Sequence, residues 1–176
     1  MTSAEQPPVL GFAAYSGTGK TTLLKQLIPL LRTKGLRLAI IKHSHHDFEI
    51  DHPGKDSYEL HHAGAQQTLI TSAYRSALIR EQIPPSEPDL QTTLAQLDLE
   101  DIDLVLVEGF RHDSGLPRIE LNRSAINRPP LFPQHDNIIA IACDSPLDTD
   151  LPQLDINAVG QIGEFILHWL DRNARI

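Results

Sequence analysis

The sequence predicts an α/β fold: a mostly parallel sheet flanked by helices, with an additional antiparallel strand pair. Three observations lead to this class. Apolar runs of strand length alternate with helical patterns along the chain, as in parallel sheets. A glycine-rich turn at residues 14–22 joins the first apolar run to the first helical pattern. Two β-rich segments, residues 67–72 and 75–81, are separated by a tight connection and predict the antiparallel pair.

The first half of the chain supplies two strands, two helices and this pair. An apolar run at residues 9–14 predicts the first strand, and the helix after it spans about Lys20 to Lys34, because Gly35 is a good left-handed cap. Pro29 lies inside that helix and is expected to kink it or to remove a hydrogen bond. A buried strand at residues 36–42 follows. A short helix then opens near Asp56 and Ser57, which are ordinary N-cap residues, and closes at Ala63 and Gly64.

The second half supplies the remaining strands and two helices. The proline-rich residues 83–88 predict a surface loop, and Asp89 is expected to cap a helix that ends near Leu97. Three further apolar runs predict strands at residues 102–107, 118–122 and 138–142. The last helix spans about residues 157–172, because apolar residues recur there at helical spacing.

The glycine-rich turn carries the clearest chemistry. It follows the phosphate-loop pattern G-x-x-x-x-G-K-[ST], with Ala14 at the first position in place of glycine. Glycines let consecutive N–H groups point at phosphate oxygens, lysine adds a positive charge, and the first threonine can ligate Mg²⁺. We therefore predict nucleoside triphosphate binding in a P-loop NTPase-like fold. The predicted nucleotide-binding residues of this turn are Ser16, Gly17, Thr18, Gly19, Lys20, Thr21 and Thr22.

Composition narrows the class of protein further. The chain has 176 residues, a length that favours a single domain over residues 1–176, and it has a net charge of −8 and one cysteine, Cys143. The acidic balance argues against a nucleic-acid partner, and no apolar run approaches the roughly 20 residues of a membrane helix. A lone cysteine excludes an internal disulfide, and residues 1–6 lack the features of a signal peptide. We therefore expect a cytoplasmic protein.

Three further segments end predicted strands with polar side chains, where open α/β sheets bind their ligands. Glu108 follows a buried strand and precedes Gly109, so its carboxylate can hold the water shell of Mg²⁺ or orient a water. We assign Lys20 and Glu108 as the catalytic residues and Thr21, Glu108 and Asp47 as the residues that hold Mg²⁺.

The histidine-rich segment after residue 42 leaves three interpretations open. His43, His45 and His46 could contact phosphate oxygens, could bind a separate transition metal, or could belong to a solvated polar loop. We place His45 among the nucleotide-binding residues. Asp144 follows a late strand, where a carboxylate can accept hydrogen bonds from guanine that adenine cannot donate. Asp144 therefore favours GTP, although no Asn-Lys-x-Asp motif accompanies it.

These segments together resemble the MobB family, the molybdopterin-guanine dinucleotide biosynthesis proteins B. The similar segments are residues 13–23, 41–47, 53–60, 63–65 and 107–110, and they follow the family's order over nearly the whole chain. The resemblance implies a GTP-binding adaptor of molybdenum cofactor biosynthesis that acts beside the guanylyltransferase which makes the dinucleotide cofactor. It also implies a homodimer, weak GTPase activity and dependence on Mg²⁺.

Two other functions remain open at this stage. A small-molecule kinase could use Arg111, Arg118, Arg123 and Arg128 as a lid over the transferred phosphate. A metal-delivery GTPase could use the histidine-rich segment to carry its metal.

Overall fold

The computed structural model describes residues 6–44 and 47–173. Contacts divide the chain into two compact units, which we call the sheet unit, residues 1–43 and 89–176, and the hairpin unit, residues 44–88. Each unit has its own secondary structure. The single domain over residues 1–176 stays a prediction.

The sheet unit contains a parallel sheet of six strands within the described residues. Its strands are β1 (Val9–Ala14), β2 (Leu38–Lys42), β5 (Leu104–Glu108), β6 (Arg118–Asn122), β7 (Ile138–Cys143) and β8 (Gln153–Asp155). They lie in the order β2-β5-β1-β6-β7-β8, and every neighbouring pair is parallel. This confirms the predicted parallel sheet, and it brings the carboxyl ends of all six strands to one edge.

Helices α1 (Lys20–Thr33) and α4 (Val159–Asn173) pack against each other, and α3 (Leu90–Leu94) belongs to the same unit. The main core lies between the sheet and the α1–α4 pair, where Leu27, Leu31 and Ile162 are fully buried. Gly163 of α4 makes this packing close, because a Cβ added there would lie 2.7 Å from Leu30 Cδ2. The two helices therefore hold one face of the sheet out of water.

The ends of these elements agree with the predicted caps. Gly35 has a φ of +94°, and its N–H donates to the carbonyl of Arg32 at 3.0 Å, so it ends α1 as predicted. Helix α1 continues from Lys20 to Thr33 through Pro29. Asp89 caps α3 by accepting a hydrogen bond from the N–H of Thr92 at 2.9 Å, but that helix ends at Leu94 and not near Leu97.

The hairpin unit contains the antiparallel pair β3 (Gln67–Thr71) and β4 (Ser76–Arg80), as predicted, together with α2 (Asp56–His62). The predicted cap of α2 was wrong, since Lys55 occupies the N-cap position and Asp56 is already helical. Ser57 donates its hydroxyl hydrogen to the Asp51 carboxylate instead. His61 ties the helix to the pair, because its ring nitrogens contact Thr68 Oγ1 at 3.0 Å and Glu81 Oε1 at 2.8 Å.

One strand was not predicted. Strand β8 has three residues and pairs with the end of β7 through Leu154 and Ala142. Three residues are too few to show an apolar period in the sequence. Among the residues that the structure covers, no helix is long and apolar enough to cross a lipid bilayer.

Candidate functional site

The loop between β1 and α1 has the backbone of a phosphate cradle. Gly17 and Gly19 have φ angles of +81° and +97°, in the left-handed region that side chains disfavour. Thr18 is buried between them, and both its N–H and its hydroxyl donate to the carbonyl of Tyr15, at 3.3 and 2.8 Å. These two bonds hold the loop on its buried side, at Thr18. Ser16 and Gly17 lie on its exposed side.

Helix α1 begins directly at this loop. Its N-cap is Gly19, which offers no side-chain hydrogen bond to the first N–H groups of the helix. Such groups carry partial positive charge and bind anions readily. Thr21 and Thr22 lie exposed in this first turn. The turn therefore presents backbone donors and two hydroxyls at the same edge of the sheet.

Lys20 and Glu108 meet at the end of the two central strands. Strand β5 lies beside β1, with Glu108 opposite Phe12, and Glu108 Oε1 lies 3.3 Å from Lys20 Nζ. Both side chains are largely covered, with exposed fractions of 17% for Lys20 and 19% for Glu108. The carboxylate attracts the ammonium group of Lys20 and keeps this side chain largely out of solvent. An anion bound by the loop competes with this ion pair for Lys20.

The ends of β5 and β2 fit closely together. The N–H of His43 donates to the carbonyl of Glu108 at 2.8 Å, directly after β2. Gly109 follows with a φ of +109°, and a Cβ added there would lie 2.5 Å from His43 Cβ. The ring of Phe110 contacts the His43 ring at a centroid distance of 4.8 Å. Only glycine fits at position 109, which explains the Glu108-Gly109 sequence.

Arg123, considered from the sequence only as part of an arginine lid, reaches the phosphate loop from the β6 side. It directly follows β6, and its Nε donates to the carbonyl of Thr18 at 3.0 Å. Its Nη2 donates to Asn157 Oδ1 at 3.1 Å, just after β8. Arg123 thus connects the loop to the ends of two other strands. A polar residue directly after a strand is the only sequence signal it gives.

Asp144 lies at the end of β7 beside the residues after β6. Its Oδ1 accepts a hydrogen bond from the N–H of Ser124 at 2.9 Å, and its Oδ2 accepts one from the Ser124 hydroxyl at 3.3 Å. The backbone bond from Ser124 is the main reason that the pKa of Asp144 lies below its usual range. The carboxylate is therefore ionised and oriented. Its role in choosing guanine stays a prediction.

Arg118 is not available for the lid considered above. It lies at the start of β6 with an exposed fraction of 3%, and its guanidinium donates to backbone carbonyls of residues 110, 111 and 113. Burial lowers the pKa of Arg118 from its usual value. Arg128 lies over the Tyr15 ring at 6.0 Å. The lid that a kinase would need cannot include Arg118, because a buried side chain cannot move over a substrate.

The remaining predicted residues belong to the histidine-rich segment that follows residue 42. His45 and His46 fall outside the described residues. Asp47 is exposed in the hairpin unit, where its carboxylate accepts a hydrogen bond from the N–H of Phe48 at 2.9 Å. In residues 6–44 and 47–173, no group of three or more histidine, cysteine or acidic side chains is arranged to hold a metal ion.

Comparison with known proteins decides the family. The family model described as "MobB: Molybdopterin guanine dinucleotide synthesis protein B" matches residues 9–144. The chain belongs to the MobB family. It is 46% identical over 165 residues to the molybdopterin-guanine dinucleotide biosynthesis adapter protein of Escherichia coli, covering 94% of each chain. It is 42% identical to the protein of the same name from Haemophilus influenzae, covering 94% of this chain and 90% of the relative.

Solved structures of MobB proteins have the same fold. One crystal structure of a molybdopterin-guanine biosynthesis protein B matches with a TM-score of 0.73 and 31% identity, over 93% of this chain and 99% of that one. HypB of Helicobacter pylori, solved in complex with nickel, matches with a TM-score of 0.52 and 13% identity, over 96% of this chain and 89% of that one. At that identity the HypB similarity concerns the fold alone. The predicted MobB resemblance is confirmed.

Proposed function

We propose that this MobB protein is a GTP-binding adaptor of molybdopterin guanine dinucleotide biosynthesis with weak intrinsic GTPase activity. The observation that carries the proposal is the Lys20–Glu108 pair at the mouth of a phosphate loop, in a chain whose relatives are named adapter proteins of this pathway. The biosynthetic guanylyltransferase is its expected partner, and the cytoplasm is its expected location.

Chain geometry fits a nucleotide with its cation. Backbone N–H groups at the left-handed Gly17 and Gly19 and at the uncapped start of α1 can donate hydrogen bonds to the phosphates. The positive charge of Lys20 complements the negative charge of the phosphates. We assign Thr21 and Glu108 to Mg²⁺, because hydroxyl and carboxylate oxygens are its preferred ligands. Asp47 and His45 remain proposed contributors. Bound Mg²⁺ supplies positive charge that offsets the negative charge of the phosphates.

Hydrolysis by the protein alone should be slow. Fast GTPases use a glutamine to orient water and an arginine to stabilise developing charge. After Glu108 and Gly109 this chain has Phe110, whose ring is buried against His43, and then the exposed Arg111. No glutamine stands at this turn. We expect turnover on the order of 10⁻² per second or below, as for unassisted GTPases.

Replacement of Lys20 tests the proposal. We expect Lys20→Ala to abolish binding of a fluorescent GTP analogue in the presence of Mg²⁺, with little change in the far-ultraviolet circular dichroism spectrum. Lys34→Ala is the matched control, because Lys34 is an exposed lysine that pairs with Glu164 at 3.0 Å far along α1. Unchanged affinity in Lys20→Ala would contradict the assignment of the site.

The hairpin unit supports the proposed homodimer and protein partner. Large apolar side chains are exposed in this unit, with exposed fractions from 36% to 92%. They are Phe48, Ile50, Leu60, Leu69, Ile70, Tyr74, Leu78 and Ile83. Exposed apolar surface of this extent is typical of an interaction surface. Light scattering at micromolar concentration tests the dimer, and capture of the guanylyltransferase with GTP or GDP present tests the partner.

Neither alternative function has an observation in its favour. For a metal-delivery GTPase, the described residues offer no cluster of metal ligands, and the HypB similarity concerns the fold alone. For a kinase lid, Arg118 and Arg123 donate to backbone carbonyls. Turnover of about 1 to 100 per second, the range of kinases, would contradict the adaptor proposal.

A further inference from the structure

The loop that follows Glu108 is held by a side chain from another strand. The guanidinium of Arg118 donates from Nη1 to the carbonyl of Arg111 at 3.1 Å and from Nη2 to the carbonyl of Asp113 at 2.9 Å. Nη2 also donates to the carbonyl of Phe110. One buried charge therefore binds three carbonyls of residues 110–113. Hydrogen bonds from a charged donor are stronger than neutral ones.

The side chain of Arg118 reaches this loop by crossing the strand between β5 and β6. Arg118 lies opposite Gly11 of β1. A Cβ added to Gly11 would lie 2.9 Å from Arg118 Cγ and 2.8 Å from Leu116 Cδ2. The absent side chain at position 11 is what leaves room for the arginine stem. A glycine in the middle of the central strand thus has a specific purpose here.

The loop itself has a conformation that needs support. Gly109 and Phe110 have φ angles of +109° and +50°, both in the left-handed region. A bulky residue such as phenylalanine keeps that conformation only where its surroundings hold it. Asn137 adds to the support, since its Nδ2 donates to the carbonyls of Asp113 and Leu116 at 3.1 and 2.7 Å. Residues 109–113 are therefore fixed from the β6 and β7 side.

We propose that Arg118 is a positioning residue of the nucleotide site. By holding residues 109–113 in one conformation, it keeps the Glu108 carboxylate at Lys20 and presents Arg111 at the carboxyl edge of the sheet. This inference rests on the proposed function, because the group that Arg118 positions is the Glu108 carboxylate, which is proposed to bind Mg²⁺ and to orient water.

Limited trypsin digestion of the full chain tests the loop directly and needs no nucleotide. Trypsin cleaves after Arg111, which is exposed in this loop. Mass spectrometry follows cleavage of the Arg111–His112 bond. We expect Arg118→Met to increase the rate of this cleavage by on the order of tenfold or more, because three charge-assisted hydrogen bonds to the loop are lost. Arg37→Met is the matched control, since Arg37 pairs with Asp101 and with Asp103 at the other end of β5. We expect it to leave that bond protected.

Kinetics of GTP hydrolysis test the consequence for the site. We expect Arg118→Met to lower kcat by on the order of tenfold, because a small displacement of a catalytic group is costly, while KM changes by less than about threefold. Arg118→Lys retains an ammonium group that can donate hydrogen bonds to one or two of the carbonyls. Its trypsin cleavage rate and its kcat should therefore lie between those of the wild type and Arg118→Met. Because a smaller folded fraction would also lower the apparent kcat without changing KM, kcat is expressed per GTP-binding site, and the sites are counted in the same sample by titration with a fluorescent GTP analogue.

The outcomes separate this inference from the proposed function. An Arg111–His112 bond that stays protected in Arg118→Met overturns the inference whether or not the protein hydrolyses GTP. So does a loosened loop with unchanged kcat. If the wild type neither binds nor hydrolyses GTP, the proposed function fails, and trypsin still reports whether Arg118 holds the loop. If Arg118→Met does not fold, Arg118→Lys provides both readouts.

Discussion

Replacing Glu108 by glutamine should strengthen nucleotide binding when no Mg²⁺ is present. Glutamine keeps the size of the side chain and removes its charge. The carboxylate holds Lys20 at 3.3 Å, so a bound phosphate must compete for that lysine, and the carboxylate also repels the phosphate. Both effects disappear in Glu108→Gln, so the direction of the change is fixed by the geometry.

The size of the effect follows from the same distance. At 3.3 Å, two unit charges attract by about 5 kcal/mol at an effective dielectric constant near 20 and by about 1 kcal/mol in water. Both side chains are mostly covered but not fully buried, and desolvation offsets much of this attraction. We therefore expect a net gain of about 1 to 2 kcal/mol, which corresponds to roughly 5- to 30-fold tighter binding.

Isothermal titration with GDP measures this gain in EDTA and again in Mg²⁺. With Mg²⁺ the gain should shrink or reverse, because under the proposed assignment the carboxylate then helps to bind the cation. Glu164→Gln is the matched control, since it removes a carboxylate that pairs with Lys34 at 3.0 Å on the protein surface. Weaker or unchanged binding by Glu108→Gln in EDTA would refute the competition between Glu108 and phosphate for Lys20.

Three further predictions concern stability and selectivity. Gly109→Ala should destabilise the protein by about 1 to 3 kcal/mol in urea unfolding, since it combines left-handed strain with a 2.5 Å approach to His43 Cβ. Gly35→Ala is the control and should lower the free energy of unfolding by less, because Gly35 is also left-handed but has no atom within 4 Å of an added Cβ. The hydrogen bond from Arg37 holds the pKa of the Asp103 carboxyl below its usual value. The stabilisation from this pair is therefore fully present well above the carboxyl's ordinary pKa in the unfolded chain, and it is lost as the pH falls through the lower pKa of the folded protein. Asp103→Asn should therefore narrow the stability difference between pH 7 and pH 3, and an undiminished difference would contradict this. Asp144→Ala should reduce the preference for GTP over ATP in competition binding, and wild-type selectivity would exclude Asp144 from base recognition.

Much of the fold could be predicted because its signals are local. The apolar runs at residues 118–122 and 138–142 became strands with nearly the predicted ends, and the caps at Gly35 and Asp89 were confirmed. A cap depends on one residue and the few bonds beside it. Strand β8 was missed because three residues carry no periodic pattern.

The candidate site also has features that local sequence determines and features that depend on contacts between distant segments. The sequence by itself determined the phosphate loop, because its glycines, lysine and threonines are contiguous in the chain and its left-handed turns need glycine at those positions. Only the tertiary structure decided that Glu108 lies at Lys20, that Arg118 crosses Gly11 to hold the next loop, and that Arg123 binds the carbonyl of Thr18 from 105 residues away. These contacts depend on the order of strands in the sheet, which is set by packing between distant segments and leaves no pattern in any one stretch of sequence.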